Sequence, residues 1–170
     1  MSTLQILFLN VNGKPWDNMS WAMHEHPAID VYAFAETWHD ELSCQDMGHD
    51  GYRSFHCVRA SSRLHGGITV LLKDWMCSGG VQVTSDAHAG ILWLDIAAMH
   101  IVLAVCYFSP PSSSLYVDGT LHQDPSTALM EGFALAHANG KHVVAVGDFN
   151  IRVGACNADV VKGCLAVKTV

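Results

Sequence analysis

Short apolar runs broken by glycine, proline and asparagine recur along the chain, and the pattern is sharpest in VVAVGDFNIRVG, residues 143–154. Val143 to Val146 are continuously apolar and predict a short strand buried on both faces. Gly147, Asp148, Phe149 and Asn150 follow, and the apolar run stops. A carboxylate and an amide two residues apart at a strand end stand on a rim and, by period two, point the same way. Asp, Asn and Gly also suit an ordinary strand-to-turn junction, so this stretch alone leaves both readings open.

The remaining segments follow in order. LQILFLN (4–10) predicts a strand closed by Asn10 and Asn12, with Gly13 as a turn residue. Pro15 suits a helix start, Trp16, Met19 and Met23 recur at helical spacing, and Pro27 stops the helix. DVYAFA (30–35) predicts a second strand with Glu36 at its end. A partly buried carboxylate there needs a cation or hydrogen-bond donors to stay charged. YRSFHCV (52–58) alternates as a strand does, and Gly66 and Gly67 lead into a buried strand at 68–72. VQVT (81–84) is a weak strand, whereas ILWLDIA (91–97) and HIVLAVCYF (100–108) are strong ones, joined as a hairpin at Ala98–Met99. The second runs into SPPSSS (109–114), which leaves Tyr107 near the mouth. After a loop to about residue 124, Asp124 can cap a helix that Pro125 opens and Gly140 ends. Leu129, Phe133 and Ala136 share one face of that helix.

Composition narrows the classes. Half of the 170 residues are apolar and 15 % are charged, a globular balance sufficient for one domain with a core. The net charge of −7 opposes tight non-specific DNA binding and suits a site that recruits a divalent cation. Cysteines 44, 57, 77, 106, 156 and 164 form no Cys-x-x-Cys pair, which disfavours a zinc ribbon, and Cys106 lies in an apolar strand pattern as core. Scattered cysteines without a signal-peptide pattern favour a reducing, intracellular compartment, nuclear or cytoplasmic. No apolar run approaches the length of a membrane span. His24 and His26 are candidate metal ligands, but period-two spacing does not fit one helix face. Arg53, Arg59 and Arg63 are the only basic concentration, read as a solvated edge in preference to a phosphate contact.

Three predicted strands thus end in polar groups: Asn10 with Asn12, Glu36, and Asp148 with Asn150. Carboxylates and carboxamides are hard oxygen donors, suited to Mg²⁺ or Mn²⁺ and not to zinc. The segments LNVNG (9–13), AETW (35–38), GGITVLLK (66–73), VCYFSPP (105–111) and GDFN (147–150), in this order, resemble the successive motifs of the endonuclease/exonuclease/phosphatase family. The Asn-x-Asn form of the first is similar to the apurinic-type endonuclease domain of non-LTR retrotransposons.

The resemblance implies an α+β fold, a DNase I-like four-layer α/β/β/α sandwich of two mostly antiparallel sheets. It implies metal-assisted phosphoester hydrolysis with Mg²⁺ or Mn²⁺, DNA as substrate, no membrane, and a reverse transcriptase domain in the same full-length polyprotein. On that pattern Glu36 is the principal metal ligand, and Asn10 helps set the metal and the phosphate. Asp148 orients or deprotonates the attacking water, Asn150 holds the water or the phosphate, and Tyr107 hydrogen-bonds a phosphate oxygen.

The chain departs from the pattern in two places. Ser109, Pro110 and Pro111 stand where many of the nucleases keep an Asn after the Tyr. Nothing after Asn150 supplies the closing Asp or the Ser-Asp-His motif whose His contacts the scissile phosphate. The expectation is therefore a domain at 1–154 that lacks its final strands, with an unmatched tail at 155–170. Three functions compete: a retrotransposon-type DNA-nicking endonuclease impaired in this chain, an inactive remnant of such a domain, and a phosphatase of the family acting on lipid or nucleotide phosphates.

Overall fold

The structure is a computed structural model that describes residues 3–40, 43, 48–58, 66–110 and 124–150. Among the described residues eight strands form two sheets. β1 (Ile6–Asn10), β2 (Val31–Ala35), β4 (Ile68–Lys73) and β3 (Tyr52–Cys57) lie side by side in that order in the first sheet. β5 (Val81–Asp86), β6 (Ile91–Ile96), β7 (Ile101–Tyr107) and β8 (His142–Asp148) make the second. Helix α1 (Pro15–Glu25) joins β1 to β2, and helix α2 (Pro125–Ala138) precedes β8.

Each sheet has one parallel pair, β1 with β2 and β7 with β8, and is otherwise antiparallel. The parallel pairs are the ones with a helix between them in sequence, because a parallel neighbour needs a long crossover. Each helix covers the outer face of its own sheet. Met19 and Ala22 of α1 pack with Tyr32, Phe34 and Leu71. Leu129 and Phe133 of α2 pack with Ile91, Ala104 and Cys106. The inner faces meet in the main core, where Val31, Ala33, Val70 and Leu72 lie against Leu92, Leu94, Leu103 and Val105. The result is the four-layer α/β/β/α sandwich.

The local signals act as the sequence suggests. The side chain of Asp124 accepts from the Thr127 N–H at 3.0 Å and caps α2. β6 and β7 form a hairpin through a short 3₁₀ turn at Ala97–Met99, closed by His100 in the left-handed region. Cys106 is fully buried, and burial pushes its thiol up to about 12. No helix among the described residues is long and apolar enough to cross a membrane.

One expectation is corrected. The run Val143–Val146 has both faces covered, Val144 and Val146 by the main core and Ala145 by the α2 layer, but of residues 142–148 only Val146 is buried. Among the described residues β8 is the outer strand of its sheet, with β7 on one side. An unbroken apolar run does not distinguish a central strand from an outer one, because both pack on two layers. Arg53 sits opposite Leu72 near the far end of β4 and stands 3.7 Å from Asp74, both side chains largely exposed. It is a solvated edge residue, as favoured, and lies away from the strand ends discussed below. Arg59, Arg63, Cys44, Cys156, Cys164, most of the SPPSSS segment and the 155–170 tail lie outside the described residues.

Candidate active site

Period-two alternation builds most of the site. On β1, Ile6 and Phe8 face the inter-sheet core while Leu7 and Leu9 face α1, so Asn10 ends the inner row. On β8, Val144 and Val146 face the same core, and Asp148 ends that row. On β7, Leu103 and Val105 do so, and Tyr107 comes last. Asn10, Tyr107 and Asp148 therefore cap one end of the inter-sheet core.

Asn10 and Asp148 meet across the two sheets. The Asn10 Nδ2 group donates to Asp148 Oδ2 at 3.0 Å and to Glu36 Oε1 at 3.2 Å. One amide thus bridges two carboxylates. Its own Oδ1 accepts the Asn12 N–H at 3.0 Å, which sets the amide's orientation. Asn10 consequently shows donors to the carboxylates, and its oxygen, turned toward Asn12, keeps one lone pair for any further ligand.

Glu36 reaches this point by breaking the strand rule. Tyr32 and Phe34 point to the α1 side, and continued alternation would send Glu36 there too. Its backbone instead lies in the left-handed region, φ 54, and the side chain turns back onto Asn10. The turn is held from both sides: Gly13 N–H donates to the Glu36 carbonyl at 2.8 Å, and Trp38 N–H donates to the Gly66 carbonyl at 2.9 Å. A left-handed glutamate costs about 1–2 kcal/mol, and such outliers cluster at functional sites. Asn12, Trp38 and Asn150, all bordering this site, share the left-handed backbone.

Asn150 does not point with Asp148. Its backbone, φ 45, ends the alternation, and its Nδ2 donates to the Phe108 carbonyl at 2.7 Å. Its N–H donates to Asp148 Oδ1 at 3.2 Å, so both oxygens of Asp148 are held. Tyr107 is the parallel-sheet partner of Asp148 and is buried, with its ring among the inner-face residues rather than open at the mouth.

Sequence reasoning passed over three neighbours. Thr37, next to Glu36, is buried. His56 is paired in register with Thr69 and bonds its hydroxyl at 3.1 Å through Nδ1, and burial, with His39 nearby, lowers its pKa from 6.5 to about 4. His39 is also shifted down by burial, against the raising effect of Asp40, and its ring stands edge-on to Trp16 at 6.0 Å. A histidine inside an alternating strand was the available signal for His56; nothing in the sequence marked His39. No histidine among the described residues hydrogen-bonds Asn10, Glu36 or Asp148. Among the described residues no three His, Cys, Asp or Glu side chains, those of His24 and His26 included, cluster as a metal site.

No protein-family model matches the chain, and no curated protein sequence does. Solved structures do. The 3′ phosphatase NExo from Neisseria, bound to a product DNA hairpin, is similar with a TM-score of 0.58 and 14 % identity, over 88 % of this chain and 58 % of that one. TDP2 from C. elegans gives 0.59 and 13 %, over 88 % and 48 %. An AP endonuclease from Archaeoglobus fulgidus gives 0.54 and 15 %, over 88 % and 58 %. The chain spans about half to three-fifths of the length of these structures. At such identities the likeness concerns architecture: two mixed, mostly antiparallel sheets between helices, the DNase I-like fold of these AP endonuclease, exonuclease and phosphatase structures.

Proposed function

We propose that the site performs divalent-metal-dependent hydrolysis of a phosphodiester, with DNA as substrate. The single observation that carries this is the Asn10 amide bridging the Glu36 and Asp148 carboxylates at the end of the inter-sheet core. Two carboxylates and an amide are hard oxygen donors with too few ligands to complete a shell, which suits Mg²⁺ or Mn²⁺ that keeps several waters. Glu36 would be the main holder of the ion, with the remaining lone pair of Asn10 Oδ1 beside it. The ion, when bound, supplies Lewis-acid polarisation of the phosphoryl oxygen.

The chain's own groups do the rest. Asp148, held at both oxygens by Asn10 and by the Asn150 N–H, would orient a water and take its proton. Asn150, pinned through its NH₂ group to Phe108, offers its side-chain oxygen to that water or to the substrate. Tyr107, in register with Asp148 on the adjacent strand, would hydrogen-bond a phosphate oxygen. The Asn-x-Asn form of the first motif favours a retrotransposon-type endonuclease, encoded with a reverse transcriptase, over a phosphatase of lipid or nucleotide phosphates. The solved structures with this fold include proteins described as an AP endonuclease and as a 3′ phosphatase bound to DNA.

A plasmid-nicking assay in Mg²⁺ and in Mn²⁺ decides. Slow, metal-dependent nicking that disappears in Asp148→Ala supports hydrolysis. Nicking unchanged in Asp148→Ala, or none with either metal, overturns it for this chain.

A further inference from the structure

The loops that deliver Asn10 and Glu36 are zipped together by aromatic rings. The Trp38 indole lies over Gly13, so closely that a Cβ there would stand 2.2 Å from the ring. The Trp16 ring packs on the His39 ring in a T-shaped contact at an interplanar angle of 68°. Both ring nitrogens of His39 are inaccessible to solvent and without a hydrogen-bond partner, so its ring serves as a packing surface for Trp16. Trp16 itself is 51 % exposed, in the first turn of α1, and the exposed Lys14 precedes it.

We propose that Trp16 is a stacking platform for an unpaired nucleobase flanking the phosphodiester at Asn10, Glu36 and Asp148. This rests on the phosphodiesterase reading and narrows its substrate class to single-stranded or locally unpaired nucleic acid. Three observations choose the occupant. Trp16 follows Gly13 by three residues and its ring packs on His39, three residues after Glu36, while Gly13 N–H bonds the Glu36 carbonyl, so the ring stands on the two loops that carry Asn10 and Glu36. The ring has one T-shaped neighbour in His39 and is half exposed, and a flat aromatic surface is the complementary shape for what remains open. The net charge of −7 denies this chain the general electrostatic attraction most nucleic-acid binders use, so affinity has to come from local contacts, of which base stacking is a strong, sequence-tolerant one.

The test compares two oligomers of equal length and charge, oligothymidylate and an all-abasic tetrahydrofuran strand, by fluorescence anisotropy with Ca²⁺ in place of Mg²⁺. The wild type should bind the base-bearing strand about 10-fold more tightly. Trp16→Ala should erase that difference while keeping the abasic affinity, and Trp16→Phe should keep most of it. Trp21→Ala and Trp75→Ala, equally exposed rings remote from the carboxylates, should leave it intact. Equal affinity for the two strands in the wild type, or a difference that survives Trp16→Ala, overturns the platform. Failure of metal-dependent nicking with the base preference intact overturns hydrolysis and leaves the platform standing. Binding of neither strand overturns the platform, and metal-dependent plasmid nicking then decides hydrolysis separately.

Discussion

Asn10 and Asp148 lie 138 positions apart in sequence and share a hydrogen bond of 3.0 Å that joins the two sheets at their polar end. The same amide group bonds Glu36, so Asn10 is the residue that ties the two carboxylates to each other. Asn10→Ala should lower phosphodiester cleavage by about 100-fold, the cost of misplacing a reacting group by about 1 Å. Asn10→Asp should lower it as well, because a third carboxylate repels the other two. Nicking rates compared with thermal melts check this. An Asn10→Ala protein that melts like the wild type and cleaves at an equal rate would remove Asn10 from the site.

Glu36 carries its carboxylate on a left-handed backbone. Asparagine tolerates that region far better than glutamate or glutamine does. Glu36→Asn should therefore be at least as stable as the wild type in denaturant and more stable than Glu36→Gln, while both lose Mn²⁺ binding followed by paramagnetic broadening. An asparagine variant less stable than the glutamine one would show that the backbone strain is not there.

Gly147 lets β8 approach β7 just before Asp148. A Cβ at this position would sit 2.3 Å from the Cys106 carbonyl oxygen and 2.8 Å from the Cys106 Cβ. Backbone cannot yield as a side chain does, so Gly147→Ala should destabilise by about 1–3 kcal/mol and shift Asp148 with the strand. Gly48→Ala, where a Cβ meets nothing within 4 Å, is the control and should be near neutral. Urea melts of the two variants measure the contrast.

Burial holds His56 neutral in the folded chain, with its pKa lowered from 6.5 to about 4. The unfolded chain takes up a proton as pH falls below 6.5 and the folded chain does not. Stability from this group is therefore complete above about pH 6.5, is lost as pH falls toward 4, and changes no further below that. The burial of His39 acts in the same direction. His56→Gln should flatten the dependence of Tm on pH across that window. A slope as steep as the wild type's would mean that other groups carry it.

Most segments of this protein follow from the sequence by itself, because apolar runs, turn residues and caps are local. Their faces do not: Ile6, Leu7, Phe8 and Leu9 are all apolar, and only the packing of the two sheets puts Ile6 and Phe8, and with them Asn10, on the inner row. Asp124, Pro125 and Gly140 already bound the second helix. The outer position of β8 was not readable, since an apolar run looks alike beside one neighbour or two. The inward turn of Glu36 was not readable either. Period two sends it to the helix side, and only the left-handed turn, held by hydrogen bonds from Gly13 and Trp38, brings it to Asn10. Asn150 likewise leaves the alternation for the Phe108 carbonyl. Which strands carry polar ends is a property of the local chain. Which of those ends touch is decided by sheet packing and by backbone turns held through long-range hydrogen bonds, and local residue patterns do not encode those contacts.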